Sequence, residues 1–287
     1  VVVSSALALI AIAAIGLLVY TDRVPARDQL EHPLAYALQR YALYDIGATR
    51  VGHCFVDTSR AFDGFDRDCY AGDIALLGDS HAAHLYQGLA EVIAAHGHTL
   101  AQLDASSCPP VFSLDASYPT SCRRANGAIA DYLRQHPPHI VVLHAEWTSY
   151  LSRAGFTDAL TATLGDLSRI GVAHIVVIGP LPAWSPTLPA MLETEFVRRG
   201  MTIPERVDTD VARLAAADAE LRSIVHGAGA VYLAPSERLC DARGCLALVG
   251  ADVSTDLIAY DSDHLTRPGA RYLARTLVEP ALAPWLR

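Results

Sequence analysis

From residue 73 onward, short apolar runs alternate with longer segments whose apolar residues recur every three to four positions. The short runs are rich in Val and Ile, which is typical of strands buried on both faces of a parallel sheet. Such strands, separated by amphipathic helices, indicate an α/β domain. We predict a flavodoxin-like, doubly wound parallel sheet of five strands with the first strand at its centre. The predicted strands are residues 74–77, 99–103, 140–143, 175–178 and 230–233.

The amphipathic segments predict helices between and after these strands. They are residues 82–95, 121–135, 157–170, 189–199, 204–226 and 268–282. The Pro-rich stretch 179–186 predicts a long loop after the fourth strand. That loop belongs to the carboxyl-end edge of the sheet, where open α/β sheets bind their ligands.

Residues 1–20 contain no charged side chain and would span about 30 Å as a helix, the thickness of a bilayer core. We therefore predict a transmembrane helix. A cleaved signal peptide is the alternative, but the stretch lacks an initiator Met and a positive n-region. A buried core helix is the third interpretation. The missing Met leads us to expect a longer protein, in which residues 1–20 are the last of several membrane helices.

Residues 21–72 are the least regular part of the chain, and we interpret them as a linker plus an extension packed against the main domain. A helix is expected within residues 27–43, whose apolar side chains recur at helical spacing. The main domain is predicted to cover residues 73–287.

Composition excludes one class of partner. The chain has 287 residues and a formal net charge of −9, and we find no run of basic residues. Nucleic-acid binding requires clustered Lys and Arg, so we do not expect a nucleic-acid partner.

The six cysteines all follow the predicted membrane segment. Six cysteines allow fifteen pairings, and pairing between sequence neighbours is the simplest expectation. Three disulfides imply an oxidising compartment such as a periplasm or the cell exterior. A metal site is the alternative, but there is no Cys-x-x-Cys and no His at zinc-finger spacing. The expected pairs are Cys54–Cys69, Cys108–Cys122 and Cys240–Cys245.

The first predicted strand ends in Gly78-Asp79-Ser80-His81 and leads directly into a helix. Ser80 therefore stands at the carboxyl end of a parallel strand and at a helix N-terminus, whose free N–H groups favour developing negative charge. Both features suit a nucleophile. A plain N-cap is the alternative interpretation, because Ser and Asp are preferred capping residues.

A second stretch, just before the last predicted helix, contains Asp261 and His264 three residues apart. Thr266 is the expected N-cap of that helix. A carboxylate at this spacing can reach the imidazole Nδ1–H, which provides the base and its orienting group in a Ser-His-Asp triad. Asp263 is the alternative orienting residue. Because Ser80 and this loop belong to the same edge of a doubly wound sheet, the three side chains can meet.

Here the chain resembles the SGNH (GDSL-like) hydrolases, and in particular the SGNH domain fused to membrane acyltransferases of the acyltransferase-3 type. The resemblance covers roughly residues 1–287. Four stretches carry it: Leu77-Gly78-Asp79-Ser80-His81, Ser106-Ser107-Cys108-Pro109-Pro110, Val141-Val142-Leu143-His144-Ala145-Glu146-Trp147 and Asp261-Ser262-Asp263-His264-Leu265-Thr266.

The resemblance implies a Ser80 nucleophile, a His264 base and an Asp261 orienting group. Two stretches depart from the wider hydrolase pattern. A Ser107 N–H must replace the usual Gly N–H, and the third stretch lacks the usual oxyanion-binding Asn. Losing one such donor typically costs about 3 kcal/mol of transition-state stabilisation. Trp147 is expected either to stack on an acceptor sugar or to lie in the core. The other residues expected to line the oxyanion or substrate site are Asp79, His81 and Ser107.

The resemblance implies an O-acyltransferase that moves an acetyl or other acyl group onto a hydroxyl of a cell-envelope glycan. Its upstream membrane domain would receive acetyl-CoA as donor, and this portion would need no cofactor. The expected location is the inner membrane, with the soluble domain in the periplasm. A metal site at His81 and His84 is not expected, because no third ligand is evident. The alternatives are a periplasmic esterase with the same triad and a non-catalytic glycan-binding module.

Overall fold

The structure is a computed structural model that describes residues 32–44 and 46–286, together with Ile12 and Gly16. Its main sheet has six parallel strands in the order β1-β3-β2-β4-β5-β7, and a second sheet has three antiparallel strands in the order β6-β9-β8. In chain order the strands are β1 Phe55–Val56, β2 Ile74–Gly78, β3 Leu100–Ala105, β4 Ile140–His144, β5 His174–Ile178, β6 Arg206–Val207, β7 Val231–Leu233, β8 Cys240–Asp241 and β9 Gly244–Leu246.

Helices cover both faces of the main sheet. In chain order they are α1 Pro33–Gln39, α2 Ser80–Ala95, α3 Thr120–Gln135, α4 Trp147–Leu151, α5 Phe156–Arg169, α6 Leu188–Glu195, α7 Val211–Gly227, α8 Pro235–Leu239, α9 Arg267–Leu273 and α10 Glu279–Leu282. A π-helical turn, Ala274–Val278, joins the last two. Short 3-10 helices occur at Arg40–Leu43, Gly47–Thr49, Arg67–Tyr70 and Val197–Arg199.

The central strands are buried on both faces, which explains their unbroken apolar sequence. Ile74 and Leu76 of β2 face one half of the core, together with Leu85 and Leu89 of α2. Alternate residues of the same strand point to the other half, where the side chains of α3 and α5 lie. The period of two along each strand thus divides one apolar run between two cores.

The α/β fold and the central position of the first predicted strand are confirmed, but the prediction of five strands is wrong. All five are present as β2, β3, β4, β5 and β7, and the sixth, β1, pairs with β3 at the sheet edge. The strand was missed because Phe55–Val56 is two residues long and offers no periodicity to detect. Through β1, the extension contributes a strand to the main sheet.

The helix predicted over residues 204–226 begins seven residues later, at Val211. Arg206 and Val207 instead pair with Leu246 and Cys245 in the small sheet. Asp210 ends the irregular stretch and begins α7, because its side chain accepts the Arg213 N–H. Asp is a preferred N-cap residue and could have marked this start in the sequence, whereas residues 204–209 hold the two-residue strand Arg206–Val207.

The described part of the extension packs on the main domain. Leu38 and Tyr41 are buried in the core, and the Tyr41 hydroxyl donates to the Val253 carbonyl. Tyr44 stacks on Tyr260, with ring centroids 4.9 Å apart. The extension therefore reaches a residue four positions before His264.

Residues 1–20, predicted to cross the membrane, lie outside the described residues except for Ile12 and Gly16. Within the described part of the chain, no helix is long and apolar enough to span a bilayer. The membrane helix stays a prediction.

Strands β2 and β4 end in register at one edge of the main sheet, and β3 ends one residue further on. Gly78, the last residue of β2, pairs with Asp104 of β3 and with His144 of β4. A Cβ on Gly78 would collide with the His144 carbonyl oxygen, and only glycine allows this approach. The turns that follow the three strands therefore converge, and Ser80 stands at the centre of the edge.

Helix α2 crosses α9 at Gly88, and a Cβ there would collide with the Ala270 backbone. We expect Gly88→Ala to lower the free energy of unfolding by about 2–3 kcal/mol, because a backbone neighbour cannot move aside as a side chain can. Gly127→Ala is the matched control. It lies in α3 with no atom within 4 Å of its Cβ and should stabilise by about 0.5–1 kcal/mol. Urea denaturation measures the free energy of unfolding of both variants. Equal denaturation midpoints for the two would contradict the close approach at Gly88.

Candidate active site

Ser80, His264 and Asp261 form one hydrogen-bonded chain at the carboxyl-end edge of the sheet. The Ser80 Oγ lies 2.8 Å from the His264 Nε2, and the His264 Nδ1 lies 2.8 Å from an Asp261 carboxylate oxygen. Ser80 and His264 are 184 residues apart in the chain. The structure therefore brings together the three residues that the Gly-Asp-Ser and Asp-x-x-His motifs predicted for the site. This arrangement can pass a proton from the serine hydroxyl to the imidazole.

The loop that carries His264 is held from within by Asp261. One carboxylate oxygen of Asp261 accepts the backbone N–H groups of Asp263 and His264, while the other contacts the imidazole. The Thr266 hydroxyl accepts the Gly269 N–H and caps α9, as the sequence predicted. The same carboxylate thus fixes both the loop backbone and the ring.

Charge and hydrogen bonding set the protonation of this pair. Burial opposes ionisation of Asp261, but its hydrogen bond to His264 and the charge of that ring hold the pKa of Asp261 below its usual value. Burial also opposes a charge on His264. The Asp261 hydrogen bond and charge outweigh it and raise the pKa of His264 above 6.5. His264 is therefore a stronger base than a free imidazole.

Two further histidines and a tyrosine surround the His264 ring. The ring centroids of His81 and His84 lie 5.0 and 4.9 Å from it, and Tyr260 stacks at 5.9 Å. Burial lowers the pKa of His84 to about 3 and that of His81 well below its usual value. Both are neutral near pH 7, so neither repels the positive charge that His264 acquires when it accepts a proton.

Asp79 does not line the substrate site as expected. Its side chain is 1% exposed and accepts the His81 N–H, the Glu146 N–H at 3.1 Å and the Tyr150 hydroxyl at 2.9 Å. Burial raises the pKa of Asp79 to about 6, against the effect of these donors. The carboxylate is directed into the protein because the turn after β4 supplies its donors. Asp79 caps α2 and ties the Ser80 turn to the β4–α4 turn.

Ser107 is exposed and has a φ of 50°, the left-handed conformation that favours glycine. This backbone conformation occurs at the position where the hydrolase pattern has Gly. The neighbouring Ser106 N–H donates to the Val56 carbonyl. Among the described residues, no acceptor is found for the N–H of Ser80 or Ser107.

Trp147 lies in the core, which was the second of its two expected positions. The side chain is fully buried, and its indole N–H donates to the Ile178 carbonyl at 2.7 Å. Without an exposed ring face, Trp147 cannot stack on a sugar. The sequence did not separate the two positions, because a Trp directly after a buried strand can turn either way.

Asp263, the alternative orienting residue, also lies close to the His264 ring. One oxygen is 3.4 Å from the His264 Nδ1 and the other is 3.9 Å from the His81 Nε2. Asp261 is nearer to the same His264 nitrogen, at 2.8 Å, which agrees with its predicted orienting role. Ligand atoms of His81, Asp263 and His264 all lie within 4.8 Å of one another, close enough to hold a metal ion. Since both nitrogens of His264 have partners in the triad, such an ion would break one of those bonds.

Two site residues were missed by sequence reasoning, Tyr150 and Tyr260. Tyr150 donates to Asp79 from 71 positions further along the chain. Tyr260 contacts the His84 Nε2 through its hydroxyl at 3.2 Å. Neither tyrosine occurs in a pattern that marks it as functional. Proximity to Asp261 was the only available signal for Tyr260.

The three expected disulfides are present: Cys54–Cys69, Cys108–Cys122 and Cys240–Cys245. The second joins the residue after Ser107 to α3. It therefore anchors the turn that presents the Ser107 N–H.

A serine after the central strand and an Asp-x-x-His loop before the last long helical segment define an SGNH-type α/β domain. Residues 53–279 match the family model of the SGNH domain fused to AT3 domains, and the chain belongs to this family. No curated protein matches the chain.

Solved structures give further comparisons. The periplasmic domain of a lipopolysaccharide acetyltransferase from Salmonella ser. Paratyphi A is 22% identical with a TM-score of 0.67, and the match covers 83% of this chain and 94% of that domain. TesA is 14% identical with a TM-score of 0.45, over 75% and 99% of the two chains. A peptidoglycan O-acetylesterase is 13% identical with a TM-score of 0.42, over 66% and 47%. The Salmonella domain shares the fold of this chain.

If His264 acts as base, its raised pKa makes the reactivity of Ser80 depend on pH. Neutral imidazole is the active form, so labelling of Ser80 by a fluorophosphonate should rise with pH and level off above a midpoint higher than 6.5. Asp261→Asn removes the group that raises this pKa. We expect a lower midpoint and labelling slower by about 100-fold or more.

Asp263→Asn is the matched control, because that carboxylate lies further from the same nitrogen and should shift the midpoint less. Rates of labelling across pH 5–9 measure both changes. A wild-type midpoint at or below 6.5 would contradict the assigned base.

Proposed function

We propose that this chain is the exported SGNH portion of a membrane O-acyltransferase that transfers an acetyl or other acyl group to a hydroxyl of a cell-envelope glycan. The observation that carries the proposal is the hydrogen-bonded chain from Ser80 through His264 to Asp261. It stands at the N-terminus of α2, where free N–H groups and the helix dipole favour negative charge. A module that only binds glycan has no need for this arrangement.

Family and fold support the acyl chemistry. The family model describes SGNH domains fused to AT3 domains. The Salmonella domain of the same fold comes from a lipopolysaccharide acetyltransferase. We infer that the acceptor here is also a glycan of the cell envelope.

In the first step, the Ser80 Oγ attacks the carbonyl carbon of an acyl donor while its proton passes to the His264 Nε2. The carbonyl oxygen becomes an oxyanion, for which the Ser80 and Ser107 N–H groups are the proposed donors. The bond to the donor's leaving group then breaks, and His264 returns the proton to that group. The products are an acyl ester on Ser80 and the released carrier.

In the second step, a sugar hydroxyl takes the place of the leaving group. His264 removes the hydroxyl proton as the oxygen attacks the Ser80 ester, and it then protonates the Ser80 Oγ as the ester bond breaks. The acyl group ends on the sugar, and the serine is restored. Throughout both steps Asp261 holds the imidazole and stabilises its positive form.

Location and partners follow from the same proposal. Three disulfides fit an oxidising space such as the periplasm. Residues 1–20 would anchor the domain in the inner membrane, next to an upstream acyltransferase domain of the AT3 type. Acetyl-CoA would serve as the donor on that domain, and the acyl group would reach Ser80 through it.

The proposal predicts that Ser80→Ala abolishes glycan acylation, because no other group replaces the attacking oxygen. The variant is tested in cells that produce the protein with its upstream membrane domain, and acylated glycan is measured by mass spectrometry. Removing the nucleophile of a triad lowers the rate by about 10⁶-fold. Ser168→Ala, an exposed serine of α5, is the matched control and should retain full acylation.

Glycan acylation at the wild-type level in the Ser80→Ala strain would show that Ser80 is not the nucleophile. A purified wild-type chain that hydrolyses an acetylated chromogenic ester rapidly, at a rate that added glycan does not change, would favour an esterase instead. Failure of a fluorophosphonate to label Ser80 would favour a binding module.

A further inference from the structure

A groove with a volume of about 620 Å³ lies beside the triad. His81, which follows Ser80 in the chain, and Asp263, which precedes His264, both line it. The remaining walls come mainly from the β4–α4 turn, the loop after β5 and the residues around the start of α7, with Met191 of α6 and Ser262. Its volume lies within the range of small-ligand sites, about 300–1,000 Å³. A molecule bound in this groove would contact His81 and Asp263, the chain neighbours of Ser80 and His264.

Carboxylates dominate the charge of the groove. Four line it, Glu146, Asp208, Asp210 and Asp263, with one guanidinium, Arg213. Burial raises the pKa of both Glu146 and Asp263, and the charge of Arg213 opposes the shift in each. The single cation thus acts on two of the four carboxylates. The groove therefore carries an excess of negative charge, which repels an anionic ligand.

The rest of the lining is uncharged. Hydroxyl groups come from Thr148, Ser149, Thr209 and Ser262, and apolar surface comes from Leu181, Trp184 and Met191. The Trp184 side chain is 4% exposed, and its indole N–H has no hydrogen-bond partner within the described part of the chain. Buried indole N–H groups normally find an acceptor. Among the described residues that line the groove, Trp184 thus supplies an N–H donor without a partner.

These features match the chemistry of a neutral sugar. Sugar hydroxyls donate to carboxylates in charge-assisted hydrogen bonds and accept from hydroxyl and N–H groups. The C–H faces of a sugar ring can pack on apolar surface. A sugar carboxylate or phosphate would meet like charge on more than one wall.

We infer that the groove binds uncharged sugar residues of the acceptor glycan and disfavours acceptors that carry a carboxylate or phosphate next to the acylated hydroxyl. The inference rests on the proposed function, since it treats the groove as the acceptor site of the acyl-Ser80 ester. Arg213 offers the opposing hypothesis, in which the guanidinium recruits an anionic acceptor. The two hypotheses predict opposite orders of affinity.

The test measures sugar binding to the purified 287-residue chain by saturation-transfer NMR, which needs no catalysis. The probes are neutral tetrasaccharides of glucose, galactose and mannose, each paired with its C6-oxidised uronic acid form. We expect at least one neutral sugar to bind about tenfold more tightly than its oxidised partner, a difference that two or three like charges can produce. Added salt should narrow the difference through screening.

Variants separate the charge of the groove from the charge of the whole protein. Glu146→Gln with Asp208→Asn removes two groove carboxylates and should improve binding of the oxidised sugars several-fold. Asp131→Asn with Glu279→Gln makes the same change in net charge away from the groove and should leave both affinities unchanged. Arg213→Gln should leave each neutral sugar bound more tightly than its oxidised partner, because the carboxylates and not the guanidinium set that order.

Two results would overturn the inference: tighter binding of the oxidised sugars, or no binding of any probe. Neither of these results bears on Ser80. Labelling of Ser80 and acylation of the glycan in cells test the proposed function separately, so each idea can fail alone.

Discussion

The hydrogen bond between Ser80 and His264 joins two residues 184 positions apart, and much of the fold serves to make it possible. Ser80 is fixed by the end of β2, where Gly78 allows the closest approach to β4. His264 is fixed by the start of α9, which crosses α2 at Gly88. Two glycines thus define the two close approaches on which the distance depends. A shift at either contact would change the distance between the imidazole and the serine, even though neither glycine takes part in chemistry.

The electrostatic surroundings of that bond follow from burial. A fully solvated histidine near His264 would titrate in the same pH range and oppose its protonation. Because His81 and His84 are buried, their charged forms are disfavoured, and they pack against His264 as neutral rings. Burial also disfavours the charged form of Asp261, but the hydrogen bonds from the imidazole and from backbone N–H groups outweigh it and keep its pKa low. Burial therefore produces one titrating histidine in a cluster of three, and the carboxylate that contacts it selects which one.

Sequence patterns located the parts of this structure that repeat or stand at fixed spacing. The five predicted strands were found because two-sided burial leaves an unbroken apolar run, and Ser80, Asp261 and His264 were found because short motifs carry them. The edge strand Phe55–Val56 has no such pattern. The capping role of Asp79 depends on Tyr150, 71 residues away, and the core position of Trp147 depends on a carbonyl of another strand. Contacts of this kind arise from the tertiary arrangement, which a single sequence does not display.

On the proposed function, the groove and the missing Asn affect the acyl ester on Ser80 in different ways. The acyl ester on Ser80 meets water at far higher concentration than any glycan hydroxyl, so transfer must be favoured over hydrolysis. A groove that holds the acceptor raises the effective concentration of its hydroxyl at the ester. An oxyanion site with fewer donors lowers the rate with water and with glycan alike. The glycan bound in the groove keeps its higher effective concentration at the ester. On the proposed function, the groove therefore favours transfer over hydrolysis, and the missing Asn lowers the rates of both.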